Sequence, residues 1–449
     1  MLPIRQMLRV ASAAVKALPD AKDLARVKSI LAWQAENLAA ARQANLPKPP
    51  AMRAFDHFFS CEGNSIGRMY GSQMVGQFNF MAEKIGLTPA FNDLDEWLLT
   101  MNYIIQRAPE FNADKNQQFF FPMSSLFVFY MFTISGAALF RTREFNLLLT
   151  QVLDTWCRYL DSPESKTVLN PNQAVPAAEG WLSPAAQDQF CLHQCANYTN
   201  SDDPAEPYWG FESFNAFFHR EWNLADYRPL AGADDDRVVV SANDGTVYRI
   251  ARQIERCTAF WTKGQNYSLV DMLDHSAFVD DFVGGDVMQS FLDGSDYHRW
   301  HAPISGKVVE VKNISGLTFS ELLSEGFDLS AGTESQGYQA MVNTRGLVII
   351  ENPKLGKVAV LPIGITEISS VTINVKLGDE LKKGDELGYF SYGGSTLVLV
   401  FEKGMIEHFE AQEPKAGEGD SLDCKVEAVC KASDGCLMVR SQIATARLR

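Results

Sequence analysis

The sequence predicts an α+β fold: a helical N-terminal domain followed by a mostly antiparallel, β-rich, barrel-sandwich-like domain. Three observations carry this. Residues 1 to about 200 place apolar side chains at three-to-four spacing, with Gly and Pro sparse outside the loop LPKPP (46–50). From about residue 236 onward, short runs rich in β-branched residues alternate with turn residues. Between the two lies YTNSDDPAEPYWG (198–210), a polar, Pro-bearing stretch that reads as a boundary. The expected domains are 1–205 (helical), 206–410 (β-rich) and 411–449, a linker (AQEPKAGEGDSL, 411–422) with a short tail.

Residues 1–19 carry Arg5, Arg9 and Lys16 and no acid, and the first 53 residues hold nine Lys/Arg against three Asp/Glu. That suits an organelle-targeting or membrane-surface helix, and equally a solvated helix face. AKDLARVKSILAWQAENLAAARQ has helical periodicity, and DLDEWLLTMNYIIQRA opens with acids, as the helix dipole prefers. Between Lys115 and Arg141 lie 25 uncharged residues, long enough to span a bilayer. The run is broken by Pro122, carries Ser124, Ser125, Thr133, Ser135 and Gly136, and stands alone, so a buried central helix is favoured. In the second half, RVVVS and TVYRI flank Ala242-Asn243-Asp244-Gly245 as an expected hairpin, followed by strands GKVVEVKN, GLVIIEN, GKVAVLPIGI and STLVLVFE.

Composition narrows the function classes. The chain has 449 residues, 46% hydrophobic and 21% charged, which excludes wholesale disorder. A net charge of −15 argues against a nucleic-acid binder. No repeat at solenoid or propeller spacing is present. The eight cysteines, Cys61, Cys157, Cys191, Cys195, Cys257, Cys424, Cys430 and Cys436, form no C-x-x-C pair, and no secretory signal is seen. They read as reduced thiols of a cytoplasmic protein. Cys191-Leu-His193-Gln-Cys195 holds metal-ligand residue types at a spacing unlike a common zinc knuckle, and a structural role is favoured.

Chemistry-bearing residues are few. His298 and His301 sit three apart in Asp296-Tyr297-His298-Arg299-Trp300-His301-Ala302-Pro303. They lack a third zinc ligand nearby, and general acid/base work fits them better, with ordinary structural histidines as the alternative. Asp244 lies in an Asp-Gly turn. Tyr392-Gly393-Gly394-Ser395-Thr396 reads first as a turn before a strand. A Ser behind glycines can also be a nucleophile, because strained backbone and free N–H groups are then at hand. The stretches Ala302–Val309 and Val375–Asp385 look like the two hairpin halves of a biotinyl or lipoyl carrier domain, yet the turns between them have no Met-Lys.

In order along the chain come Phe214-Asn215-Ala216-Phe217-Phe218-His219-Arg220 with Arg228-Pro229, Ser241-Ala242-Asn243-Asp244-Gly245, Lys263-Gly264 with Tyr267-Ser268-Leu269, Tyr297-His298-Arg299-Trp300-His301-Ala302-Pro303, and Gly384-Asp385-Glu386-Leu387-Gly388-Tyr389-Phe390 with Gly394-Ser395-Thr396. On these pieces, residues 209–405 resemble the phosphatidylserine decarboxylase family of pyruvoyl-dependent enzymes. Asn243 replaces an alanine of the family pattern, and Gly393-Gly394 stands where many members have Leu-Gly. The helical N-terminal half and Trp300 resemble the soluble branch, which includes fungal tryptophan decarboxylases.

The resemblance implies self-cleavage between Gly394 and Ser395. Ser395 attacks the Gly394 carbonyl, His301 accepts the proton, Asp244 orients His301, and β-elimination leaves a pyruvoyl group at position 395. Chains 1–394 and 395–449 are expected to stay associated. His298 is expected to protonate the substrate carbon after CO₂ leaves. Neither pyridoxal phosphate nor a metal is expected. The phenylalanine-rich segment 211–222 reads as core packing more than as site lining. The leading reading is a decarboxylase of a free, aromatic L-amino acid. Its rivals are a phosphatidylserine decarboxylase, for which membrane contact is left open but not favoured, and a non-enzymatic carrier module.

Overall fold

The computed structural model describes residues 21–114, 118–170, 180–196, 198, 207–257, 267–294, 296–322, 329, 333–367, 370–414 and 430–449. The basic segment 1–19, Lys263-Gly264, and most of the two polar stretches at 198–210 and 411–422 lie outside the described residues. The chain divides into two compact units, Met1–Tyr159 with Leu317–Gln336, and Leu160–Gly316 with Gly337–Arg449.

The first unit is built from helices α1 (Ala21–Ala44), α2 (Pro50–Ser60), α3 (Ser65–Lys84), α4 (Leu94–Ile104), α5 (Pro122–Met131), α6 (Ile134–Leu139) and α7 (Arg143–Leu160). Along α1 the buried positions are Val27, Ile30, Leu31, Gln34, Leu38 and Ala41, the stripe that three-to-four spacing predicts. The acids before α4 form a reciprocal cap: Asp93 Oδ1 accepts the Glu96 N–H at 3.0 Å, and Glu96 accepts the Asn92 N–H at 2.7 Å. The uncharged run becomes two helices. Pro122 occupies the first turn of α5, and Thr133 starts α6, its hydroxyl accepting the Gly136 N–H at 2.9 Å. Every residue of α5 except Ser124 is buried, with Phe127 stacked on Trp97 and edge-on to Phe140. Among the described residues no helix is long and apolar enough to cross a membrane.

The second unit is antiparallel. Its strands are β1 (Val238–Val240), β2 (Gly245–Arg252), β3 (Asp286–Leu292), β4 (Arg299–His301), β5 (Gly306–Ile314), β6 (Arg345–Asn352), β7 (Gly356–Ile365), β8 (Val371–Ile373), β9 (Glu380–Leu381), β10 (Glu386–Phe390), β11 (Gly394–Phe401), β12 (Ile406–Phe409), β13 (Cys436–Leu437) and β14 (Gln442–Ala446). Among the described residues they form an eight-stranded sheet, β13-β2-β3-β11-β7-β6-β5-β9, and two three-stranded sheets, β1-β14-β12 and β4-β10-β8. Strand β11 is apolar without alternation because both faces of the large sheet are covered. Leu397, Leu399 and Phe401 enter one core cluster, and Val398 and Val400 the other. The carrier-like halves do meet, Gly306 opposite Leu381 and Lys307 opposite Glu380, as strand architecture.

Three expectations are corrected. The RVVVS and TVYRI runs form no hairpin: β1 pairs with β14, while β2 pairs with β3 and β13. The Asn243 and Asp244 side chains between them are buried and hydrogen-bonded, so this is no solvated turn. Residues 430–449 are no mere tail, since β14 is the central strand of its sheet. The cysteines are not all reduced: Cys430 and Cys436 form a disulfide and Cys191 is disulfide-bonded, while Cys61, Cys157, Cys195 and Cys257 are free. The bonded pair is six residues apart and closed by a turn through Gly435, a spacing outside the C-x-x-C pattern. Around His193 the chain makes a 3₁₀ turn entered by Cys191 at φ 49.

Trp300 is fully buried in the core cluster of β4, packed where Gly388 of β10 leaves room. A Cβ at Gly388 would meet the Thr372 carbonyl oxygen at 2.0 Å and the Trp300 ring at 2.5 Å. Gly388→Ala is therefore expected to destabilise by about 1–3 kcal/mol, the usual cost of overpacking. Gly76→Ala, on an exposed helical turn where a Cβ meets nothing within 4 Å, should instead gain about 0.5–1 kcal/mol. Denaturant midpoints of the two variants against the parent check this, and equal shifts would refute it.

Candidate active site

Ser395 opens strand β11 one residue in, opposite Leu292 of β3 and Gly364 of β7. Its side chain is fully buried, and its Oγ has no hydrogen-bond partner. Gly393, two residues earlier, sits at φ 142, a backbone region that favours glycine. The turn into β11 is held by a short helix, α8 (Phe214–Phe218), begun by Ser213, whose hydroxyl accepts the Ala216 N–H at 3.1 Å. Asn215 Oδ1 accepts the Tyr392 N–H at 3.2 Å, and the Phe214 and Phe218 rings lie edge-on to the Tyr392 ring.

The same helix packs against His298, which stands just before β4. The His298 ring lies 4.0 Å from the Phe218 ring, centroid to centroid, and its carbonyl accepts the Phe390 N–H of β10. Both ring nitrogens are buried without a hydrogen-bond partner. Burial, and after it the Arg220 guanidinium, push this histidine down to about 3, so it is neutral at ordinary pH. Helix α8 thus touches both His298 and the turn before Ser395.

His301 ends β4, and its ring is fixed at both nitrogens. A carbonyl can only accept, so Nδ1–H donates to the Gly384 oxygen at 3.0 Å. The lone pair is then on Nε2, which accepts from the Tyr297 hydroxyl at 3.2 Å. Burial holds this imidazole below the usual histidine range, and the Gly384 hydrogen bond works against that. His301 is therefore a neutral base with its lone pair on the nitrogen that a hydroxyl reaches. Its partner in this state is Tyr297, not Ser395.

Asp244 precedes β2 and is 1% exposed. Arg228 grips it with two parallel bonds, Nε to Oδ1 at 3.1 Å and a terminal nitrogen to Oδ2 at 2.9 Å, and Val439 N–H donates to Oδ1 at 2.7 Å. The Trp222 ring covers the guanidinium at 4.3 Å, and Gln194 Oε1 and the Tyr227 carbonyl accept from its other terminal nitrogen. Sheet register sets Asp244 against Ser395. Thr246 and Thr396 both lie opposite Phe291, on either side of β3, so the two strand ends are about 10 Å apart, two strand spacings. A polar chain crosses this gap. Asn243 Oδ1 accepts the Ser290 hydroxyl at 2.9 Å, the Thr396 hydroxyl donates to the Ser290 carbonyl at 2.8 Å, and Gln289 joins Thr396 at 3.1 Å to Tyr267 at 2.6 Å.

The four expected residues thus lie buried in one unit. Ser395 and His298 are linked through α8, and Asp244 and Ser395 across β3. Arg228 and Tyr297 were legible only as motif letters; nothing in the sequence tied them to Asp244 and His301. Segment 211–222 both packs in the core and walls His298, which the core-packing reading missed. Among the described residues no group of three or more His, Cys, Asp or Glu is placed to hold a metal ion.

The sequence matches two models described as phosphatidylserine decarboxylase, over residues 214–425 and 50–190. It is 33% identical over 323 residues to the decarboxylase iboD of Amanita muscaria, an alignment covering 66% of this chain and 90% of that protein. It is 29% identical over 333 residues to the L-tryptophan decarboxylase of Psilocybe cubensis, covering 71% and 75%. To the phosphatidylserine decarboxylase proenzyme of Fusobacterium nucleatum it is 30% identical over 207 residues, covering 44% and 63%. Because the likeness runs through nine-tenths of a relative's length, and the matching family model spans all four buried residues, the chain belongs to the phosphatidylserine decarboxylase family and is an enzyme, a decarboxylase.

Proposed function

We propose that this decarboxylase makes its own pyruvoyl group by cutting between Gly394 and Ser395, and that its substrate is a free aromatic L-amino acid. The observation that carries the proposal is the buried, unpartnered Ser395 Oγ just behind two glycines. A buried hydroxyl without a partner costs free energy, and the two unpartnered nitrogens of His298 repeat the pattern. Polar groups left bare in a core are what a reacting group and its substrate would satisfy.

In this reading Ser395 Oγ forms a bond to the Gly394 carbonyl carbon while the Gly394–Ser395 amide bond breaks, giving an ester. The hydroxyl proton passes to His301 Nε2 once Tyr297 turns aside. Asp244, kept ionised by Arg228, favours the imidazolium that results. Loss of the ester by elimination frees the carboxylate of chain 1–394. Water then displaces ammonia at position 395 and leaves the ketone. The pyruvoyl group supplies the electron sink that standard side chains lack.

The surrounding residues fit such a group and an aromatic substrate. Phe214, Phe218 and Tyr392 form an apolar wall beside His298, suited to a flat side chain. His298, neutral in the closed site, regains basicity when a carboxylate arrives next to it, and holds the proton for the carbon that loses CO₂. The likeness to the tryptophan decarboxylase covers 71% of the chain, against 44% for the bacterial phosphatidylserine decarboxylase proenzyme. Phosphatidylserine remains the second reading, because both matching family models carry that name.

Purified parent protein is expected to run as two chains, 1–394 and 395–449, with a blocked N-terminus on the smaller. Ser395→Ala is expected to stay a single, inactive chain by mass spectrometry. Efficient cleavage of that variant would defeat the serine mechanism.

The histidines should separate. Asp244 makes no hydrogen bond to His301, whose ring is set by Gly384 and Tyr297, and acts on it through charge. His301→Ala and Asp244→Ala are expected to slow processing by about 10²–10⁴-fold, as loss of a base or of the charge that favours its protonated form does. His298→Ala should process and then decarboxylate poorly. Normal processing in both histidine variants would overturn these roles.

Substrate is decided by offering tryptophan, phenylalanine, tyrosine and liposomal phosphatidylserine separately and measuring amine release. Arylalkylamine from the free amino acid is expected. Turnover of the lipid alone would replace the substrate and leave the cleavage mechanism in place.

A further inference from the structure

The matched family model ends at residue 425, and the chain beyond residue 430 returns to the site. Strand β13 lies beside β2, with Leu437 opposite Gly245, the residue after Asp244. Two further backbone bonds pin the same stretch: Arg440 N–H to the Ser241 carbonyl at 2.9 Å, and Ser241 N–H to the Ser441 carbonyl at 2.8 Å. The Cys430–Cys436 disulfide closes the turn that leads into it. Val439 is 1% exposed, in a cluster with Trp222 and Tyr297. Its N–H donates to Asp244 Oδ1 at 2.7 Å, across 195 positions of sequence.

We infer that the Val439 N–H is a positioning group for self-cleavage, so that the fragment carrying Ser395 also carries the donor that sets Asp244. This rests on the self-cleavage reading above. Arg228 alone holds the carboxylate along one edge, by two bonds lying in the guanidinium plane. A third donor from a different element fixes the carboxylate plane against rocking and favours its ionised form. The other charged and titratable groups acting around this site are Arg220 just after α8, Tyr297 and His298 before β4, His301 at its end, Glu386 on β10 and Arg440 beside Val439, and the amide-to-ester change keeps every one of these side chains.

The test uses the full-length precursor with an amide-to-ester replacement at Val439, which removes one N–H and keeps the side chain, alongside Val439→Pro, which removes the same donor. Self-cleavage is followed by mass spectrometry against pH, with near-UV circular dichroism of each variant in the Ser395→Ala background. Both changes are expected to slow cleavage at least tenfold, and to move the acid limb of its pH profile upward, because the carboxylate loses a donor that favours the charged form. Val439→Ala keeps the donor and should cleave faster than the ester. A merely structural role would lower the amount of competent protein without moving the limb. Should Val439→Pro fail to fold, the ester variant decides. Parental rate and an unmoved limb in the ester variant overturn the inference. A parent chain that never cleaves removes the self-cleavage reading, and the positioning role with it, a result distinct from a cleaving parent and an equally fast ester.

Discussion

An ion pair closed off from water organises the catalytic unit. Arg228 and Asp244 are each 1% exposed, and burying two such charges costs several kcal/mol apiece unless every lone pair and hydrogen is answered. Here the two charges answer one another, and Gln194, the Trp222 ring, the Tyr227 carbonyl and the Val439 N–H add to them. Removing any one leaves a charge partly bare, which is far costlier than never having buried the pair. The pair therefore ties the turn at 192–194, the segment after α8, the entry to β2 and the C-terminal strands into one arrangement. His301 and Tyr297 build on it, since the Tyr297 ring packs against the Trp222 ring that covers Arg228.

A second constraint is the placement of β11. It lies between β3 and β7, hydrogen-bonded on both edges and covered on both faces. Ser395, the proposed nucleophile at the start of this strand, has its backbone fixed by neighbours, while the glycines just before it supply slack. Rigidity on one side of the proposed cut and permissive backbone on the other suit a reaction that needs the carbonyl presented at a set angle.

The sequence made the large features readable where the signal is local. The acids that open α4, the stripe along α1 and the strands β5, β6, β7 and β11 follow from local composition and spacing. Asp244, His298, His301 and Ser395 stood out through their motifs taken in order, by resemblance to the family. What escaped depends on contacts between residues far apart. Asp244 looked like a turn residue because its partners stand at Arg228 and Val439. Val238–Val240 looked like half of a hairpin because β14, its true partner, comes some two hundred residues later. Phe218 looked like core because nothing local reports that His298 stacks on it. Trp300, read as a mark of substrate branch, is packing against Gly388.

The pairing of β11 on both edges also governs how the molecule responds to unfolding. Before the proposed cut, residues 394 and 395 are covalent neighbours, so refolding is a first-order event that ignores dilution. After it, the strand is a separate polypeptide inserted in the middle of a sheet. Native contacts would still keep it in place, but once lost they could be regained only by collision of two molecules, with an open, aggregation-prone slot between β3 and β7 in the meantime. A chain built this way has one opportunity to fold, and it comes before activation.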